Sequence, residues 1–299
     1  MKKFNFKKVD AFTKEGSKGN PAGCVYLETA AEEDEMQQLA NELKGFVNEV
    51  VYCLPIDNNG NTIYSLLYYS SECEVEFCGH GTIACMYDLI SNSPEAIGRK
   101  EIIIRTRKGD LTVYNNIASA DAVYITAPMP EHIGTKLKTP EISSGLKIPE
   151  TWIDEKYPVD LINAGLNTLI VPIKNVNDIV SIWPDINALK EFCLANGIDI
   201  IIVYTNDVTD KSNRLHTRVF APKYGYLEDP ATGSGNSALA YYLLKNNMWD
   251  GSAISIEQGP SLKVPNIVKL DTIECTDGSK QVLFGGRATS RIEGSYLLY

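Results

Sequence analysis

Apolar residues fall mostly into short strand-like runs, and a helical spacing interrupts them in only a few places. Phe6, Val9, Ala11 and Phe12 open the chain as a strand, followed by the turn-rich Lys14 to Gly19. Asn20-Pro21-Ala22-Gly23 reads as a turn ahead of a strand from Cys24 to Leu27. Met36, Leu39, Ala40 and Leu43 then recur at i, i+3, i+4 and i+7. That spacing predicts a helix, with Thr29 and Glu32 as its capping box and Gly45 as its stop. Phe46 to Leu54 predicts a strand that is apolar on both faces except at Asn48 and Glu49. Pro55 and the Asp57 to Asn61 stretch predict a hairpin turn into Thr62 to Tyr69, and a second hairpin closes around Lys108-Gly109-Asp110. Further on, Asp185 caps a helix that Gly197 stops, and Ile200 to Tyr204 and Leu215 to Phe220 read as strands.

Two segments break this rhythm in the same way. Cys78-Gly79-His80-Gly81-Thr82 leads into the greasy Ile83 to Ile90, and Thr232-Gly233-Ser234-Gly235-Asn236 leads into the greasy run ending at Leu244. The two lie 154 residues apart. At that offset Leu66 to Gly81 and Phe220 to Gly235 share one layout of strand, loop, acidic residues, Gly-x-Gly and apolar helix. A helix that is apolar all round must be wrapped by other structure. The expected fold is therefore α+β, with two pseudo-symmetric domains from a duplication. Each would be a curved, mostly antiparallel sheet around one central apolar helix. The expected boundaries are 1–127 plus 287–299 for the first domain and 128–286 for the second. Helix starts with glycine are anion-receptive, and both would point into one interdomain cleft.

Composition narrows the function. The net charge of −10 argues against a nucleic-acid partner. Ile200 to Val203, the longest aliphatic run, is far too short for a membrane span, and Met1 to Lys8 has no signal-like apolar core. The expected location is the cytoplasm. Seven irregularly placed cysteines do not form a disulfide framework, and the three histidines lack metal-ligand spacing, so no metal is expected. No P-loop, dinucleotide fingerprint or Gly-x-Ser-x-Gly elbow is present.

The candidate chemistry centres on Glu49. Its neighbours Phe46, Val47, Val50 and Val51 desolvate a carboxylate, which tunes it toward proton transfer at neutral pH; by strand alternation it could equally face solvent. His80, between two glycines, has no packing role to explain it and suits hydrogen bonding or proton transfer. Asp229 precedes the second glycine turn, Glu228 reads as a loop residue, and Ser234 reads as an N-cap placed to touch an anion.

Asn20-Pro21-Ala22, Asn48-Glu49, Cys78-Gly79-His80-Gly81-Thr82, Arg218 to Pro222, Glu228-Asp229-Pro230-Ala231-Thr232-Gly233-Ser234 and Glu257-Gln258-Gly259 together resemble the PhzF family of phenazine-biosynthesis isomerase-like proteins. The resemblance covers essentially the whole chain. It implies a diaminopimelate-epimerase-like fold, no metal or organic cofactor, a homodimer, and a small anionic metabolite as substrate. It implies Glu49 as the acid/base, supported by His80 and Asp229, with Asn20, Gly79, Gly81, Gly233 and Ser234 at the substrate. Related racemases carry one cysteine at each glycine turn. Here only Cys78 is present, which disfavours two-thiol chemistry and leaves Cys78 as a structural residue or, as the alternative, a stand-in for one of the two partners. The expected function is a cofactor-independent isomerase that moves a proton within a carboxylate-bearing substrate. The alternatives are an amino-acid racemase or epimerase, and a non-catalytic binder of a small metabolite.

Overall fold

The computed structural model describes all 299 residues. The chain divides into two compact units, Met1–Thr126 with Gly285–Tyr299, and Ala127–Phe284.

In the first unit β1 (Lys2–Ala11) pairs antiparallel with β2 (Asn20–Tyr26). Helix α1 (Glu33–Glu42) leads to β3 (Glu49–Asn58), which lies parallel to β2 and antiparallel to β4 (Asn61–Ser70). The two-residue β5 (Glu74–Val75) returns along β4, and α2 (Gly79–Asn92) follows. Then β6 (Glu101–Thr106) runs parallel to β4 and forms a hairpin with β7 (Gly109–Asn115). The one-turn α3 (Ile117–Ala120) precedes β8 (Val123–Thr126), which pairs with β7.

The second unit runs through β9 (Glu131–His132), α4 (Thr139–Leu146), β10 (Asp160–Asn163) and β11 (Asn167–Pro172), then α5 (Val176–Val180) and α6 (Ile186–Ala195). It continues with β12 (Ile200–Thr205), β13 (Leu215–Phe220), the two-residue β14 (Glu228–Asp229) and α7 (Gly233–Lys245). After β15 (Ile254–Gln258), β16 (Asn266–Glu274) and β17 (Lys280–Gly286), the chain ends in β18 (Ala288–Leu298), which pairs with β1.

The pairings bear out the duplication. An antiparallel pair (β1–β2; β10–β11) is followed by a parallel one (β2–β3; β11–β12) and an antiparallel one (β3–β4; β12–β13). A two-residue strand (β5; β14) returns on the last of these and delivers the chain to the apolar helix. A parallel pairing (β4–β6; β13–β15) and an antiparallel one (β6–β7; β15–β16) close each series. The same ladder written twice is what makes the fold α+β with two similar halves.

Each apolar helix is enclosed by its own unit. α2 packs against β1, β2, β3, β8 and β18, and α7 against β10, β11, β12 and β16. Ile83, Met86 and Ile90 of α2 are fully buried; each such side chain contributes roughly 1.5–3 kcal/mol of transfer free energy. Asp88, a charged residue of α2, is buried but bonded by the Tyr26 hydroxyl at 2.7 Å and paired with Lys7 at 3.1 Å. Burial pushes the Tyr26 hydroxyl pKa up, and Asp88 adds to it.

Local details differ from the sequence reading. The capping box of α1 joins Glu32 to Glu35, not Thr29 to Glu32. The cluster Glu32 to Glu35 offers rival caps, and the helix starts where Met36 first meets the core. β3 starts at Glu49, because the N–H groups of Phe46 and Val47 both bond to Leu43 O. Asn20 to Gly23 is strand, laddered to β1, where a turn was expected. Gly79 and Gly233 are the first helical residues, so Thr232 occupies the N-cap position expected for Ser234.

Candidate active site

In the first unit the fold gathers Glu49, Cys78 and His80. Glu49 opens β3 opposite Ser70, and its side chain is 24% exposed. Its Oε2 is buried and accepts no hydrogen bond. His80 is the second residue of α2, with Nε2 3.3 Å from that oxygen and Nδ1 3.4 Å from Cys78 Sγ. Cys78 is the N-cap of α2, and its sulfur also accepts the Gly81 N–H at 3.3 Å. Thr82 Oγ1 fixes the cap by donating to Cys78 O at 2.8 Å, while Tyr68 OH reaches it from β4 at 2.7 Å. The sequence reading took Cys78 as structural; here it touches the candidate histidine.

His80 is held well above the usual imidazole range. Burial disfavours its charged form, but the neighbouring Cys78 and Glu49 favour it more strongly. The three donor atoms lie within 4.8 Å of one another, and the sulfur also receives the Gly81 N–H.

The glycines here serve packing. A Cβ on Gly81 would stand 2.7 Å from Val51 Cγ2 and 3.1 Å from Cys78 Sγ. A Cβ on Gly233 would stand 2.2 Å from the buried Phe284 ring. Gly233→Ala is therefore expected to destabilise the protein by about 1–3 kcal/mol, measured by denaturant unfolding, because the ring must move. The cap of α2 uses the N–H groups of Gly81 and Thr82, which leaves those of Gly79 and His80 at the helix start.

The second unit carries Asp229, Gly233 and Ser234 around the start of α7. Thr232 makes no side-chain cap; its hydroxyl donates to Asp229. The first-turn N–H groups of Gly233 and Ser234 thus have no capping side chain against them. The fully buried Gln258 ties this corner together. Its Oε1 accepts from Thr232 N at 3.1 Å and Asn236 Nδ2 at 2.7 Å, and its Nε2 donates to Asp229 O at 2.9 Å. Asn236 Oδ1, equally buried, has no hydrogen-bond partner. Asn20, at the first residue of β2, is buried in the first unit.

Sequence reasoning named the groups that place Asp229 without seeing what they hold. Arg218, wholly buried on β13, grips Glu228 through Nε and Nη2 at 2.9 and 2.8 Å. Its Nη1 donates to Ile179 O and Ile182 O, and the guanidinium lies over Trp183. Glu228 is thus one half of a salt bridge, whereas the sequence reading made it a loop residue. The available signal was His216-Thr217-Arg218, three polar residues in succession inside an otherwise apolar strand, since buried polar groups require partners.

Glu257, next to Gln258, is also buried. Burial opposes its charge, but bonds from His216, Asn213, Asp210 and Thr209 outweigh it and hold its pKa down to about 2. A depressed carboxylate stabilises the fold above its ordinary pKa of 4.5 and loses that contribution as pH falls toward 2. The loss is expected to approach about 3 kcal/mol. Denaturant midpoints followed down through that window should fall more steeply in the wild type than in Glu257→Gln; equal slopes would contradict this.

A phenazine biosynthesis-like family profile matches residues 9–294. The chain belongs to this family. Among curated relatives of this phenazine biosynthesis-like protein, antisense-enhancing sequence 1 of Schizosaccharomyces pombe is 26% identical over 298 residues, covering 98% of this chain and 99% of its own. The uncharacterized isomerase YfhB of Bacillus subtilis is 28% identical over 278 residues, 92% of each chain. The crystal structure of the Bacillus anthracis PhzF-family phenazine biosynthesis protein superposes with a TM-score of 0.85 at 23% identity, covering 100% of both chains. That likeness shows the fold. Membership in the family, with relatives named as isomerases, makes the protein an enzyme of the isomerase class. No helix is long and apolar enough to cross a membrane.

Proposed function

We propose that the protein moves a proton from one carbon to another within a small carboxylate-bearing substrate, with Glu49 as the acid/base. The observation that carries this reading is Glu49 Oε2, buried, without a hydrogen bond, and 3.3 Å from the His80 ring. A carboxylate oxygen so placed is an acceptor open to a proton. His80 supplies a charged N–H for the oxygen that becomes negative when carbon loses its proton. The start of α2, beside Glu49 and His80, offers N–H groups for a substrate carboxylate. All the groups invoked belong to the chain itself, and the reaction is balanced, since the proton returns to the same molecule.

A panel of small unsaturated and amino-bearing carboxylic acids, followed by proton NMR and chiral chromatography, tests this. A shifted double bond supports the isomerase. An inverted stereocentre with no bond shift would replace it with an epimerase. Ligand-dependent thermal shifts without any product would replace it with a binding protein.

A further inference from the structure

Isomerisation gives no task to the sulfur that stands beside Glu49 and His80. Glu49 offers a carboxylate oxygen, Cys78 a sulfur and His80 a ring nitrogen, all within 4.8 Å of one another. We propose that Glu49, Cys78 and His80 form a three-ligand site for Zn²⁺, and that the bound ion switches the reaction off. The inhibition rests on the reading of Glu49 as the proton carrier; the metal site does not.

The separations carry it. Zinc bonds of about 2.0–2.3 Å at tetrahedral angles put neighbouring ligand atoms about 3.3–3.8 Å apart. His80 Nε2 is 3.3 Å from Glu49 Oε2 and 3.9 Å from Cys78 Sγ. The first distance already matches a tetrahedral edge, and the second has to close only slightly. Glu49 Oε2 is buried without a hydrogen-bond partner, so the cation takes an oxygen that the fold leaves uncommitted. Carboxylate and thiolate together match a divalent charge, with imidazole as the neutral third ligand. Mixed sulfur, nitrogen and oxygen donors select Zn²⁺ over Ca²⁺ and Mg²⁺, which take oxygen.

The surroundings suit such a site. Cys78 Sγ accepts the Gly81 N–H at 3.3 Å, a bond that a metal-bound sulfur keeps through its remaining lone pairs. Thr82 and Tyr68 fix the carbonyl of the same residue. The side chains of His80 and Glu49 are 14% and 24% exposed, which gives the ion an entry and leaves a fourth position for water. Spacing along the chain hides the site, because Glu49 arrives on β3, 31 positions before His80.

Binding displaces the protons held on the sulfur and on Nε2. The ion then occupies Oε2, the atom that takes the substrate proton, and Nε2, the atom that serves the developing oxyanion. Metal binding and proton transfer are therefore mutually exclusive.

The first test uses the metal alone. Zn²⁺ titrated into the reduced protein should bind as one tight equivalent, and Co²⁺ in its place should show thiolate-to-cobalt charge-transfer absorption. Cys78→Ser should abolish that absorption. Glu49→Gln and His80→Gln should each weaken Zn²⁺ binding by at least about tenfold, since even residues behind metal ligands are worth about 10–100-fold. Cys73→Ser, which removes an exposed cysteine, should leave binding unchanged. The cobalt spectrum of the wild type decides the matter even where a variant fails to fold. No equivalent bound at micromolar Zn²⁺, no charge-transfer band, or binding that survives all three ligand substitutions overturns the site. With a responsive substrate, one equivalent of Zn²⁺ should stop turnover and a chelator should restore it. If the metal binds as described and turnover continues, Glu49 fails as the proton carrier while the metal site stands.

Discussion

Glu49→Gln should lower turnover by at least about 10²–10⁴-fold, the usual contribution of a positioned acid/base, while leaving substrate affinity within a few-fold. Glutamine keeps the size of the side chain at the head of β3, and Glu49 lies at the edge of the core with its Oε2 unbonded. The loss should fall on kcat and not on KM. The contact with His80 should weaken at the same time, since one of the two groups favouring the charged ring becomes neutral. A variant that keeps more than a tenth of wild-type turnover would remove Glu49 from the chemistry.

Glu228→Ala should be the most destabilising single change near the second glycine turn. It leaves the Arg218 guanidinium, wholly buried, without its carboxylate. Removing one partner of a buried pair costs about 3–5 kcal/mol, because the remaining charge stays desolvated. The Ile179 and Ile182 carbonyls and the rings of Trp183 and Phe220, 4.6 and 5.0 Å away, soften the loss without replacing the charge. Asp229 follows directly on β14, so its placement should suffer too. The double variant Arg218→Met, Glu228→Leu should recover most of the stability, since it removes both charges. A loss below about 1 kcal/mol in Glu228→Ala would show that the pair is solvated enough to be dispensable.

The sequence showed the repeat clearly because the repeat is written in hydrophobicity. Two helices with almost no polar face can exist only inside a sheet, and α2 and α7 are buried in that way. Glu49 and His80 stood out for a related reason, each being polar where its surroundings offered no packing explanation. The contacts between them were not legible. Glu49 and His80 are 31 positions apart, and their meeting depends on β3 and α2 packing through Gly81 against Val51. The contact of Cys78 with His80 was not legible either, because a lone cysteine before a glycine carries no sign of what faces it. Gln258 and Arg218 entered only as parts of the resemblance motifs, without a role, because their importance is purely a matter of partners: each is a buried polar group used in holding β14 and the start of α7. The α1 cap slipped by one box because four acidic residues in a row make several boxes equally good on paper.

The most direct test of the account is proton NMR of a responsive unsaturated carboxylic acid, with wild type and Glu49→Gln side by side. The account predicts that wild type moves the double bond to a new position and that the variant leaves it essentially where it was. Equal conversion by both proteins would contradict it.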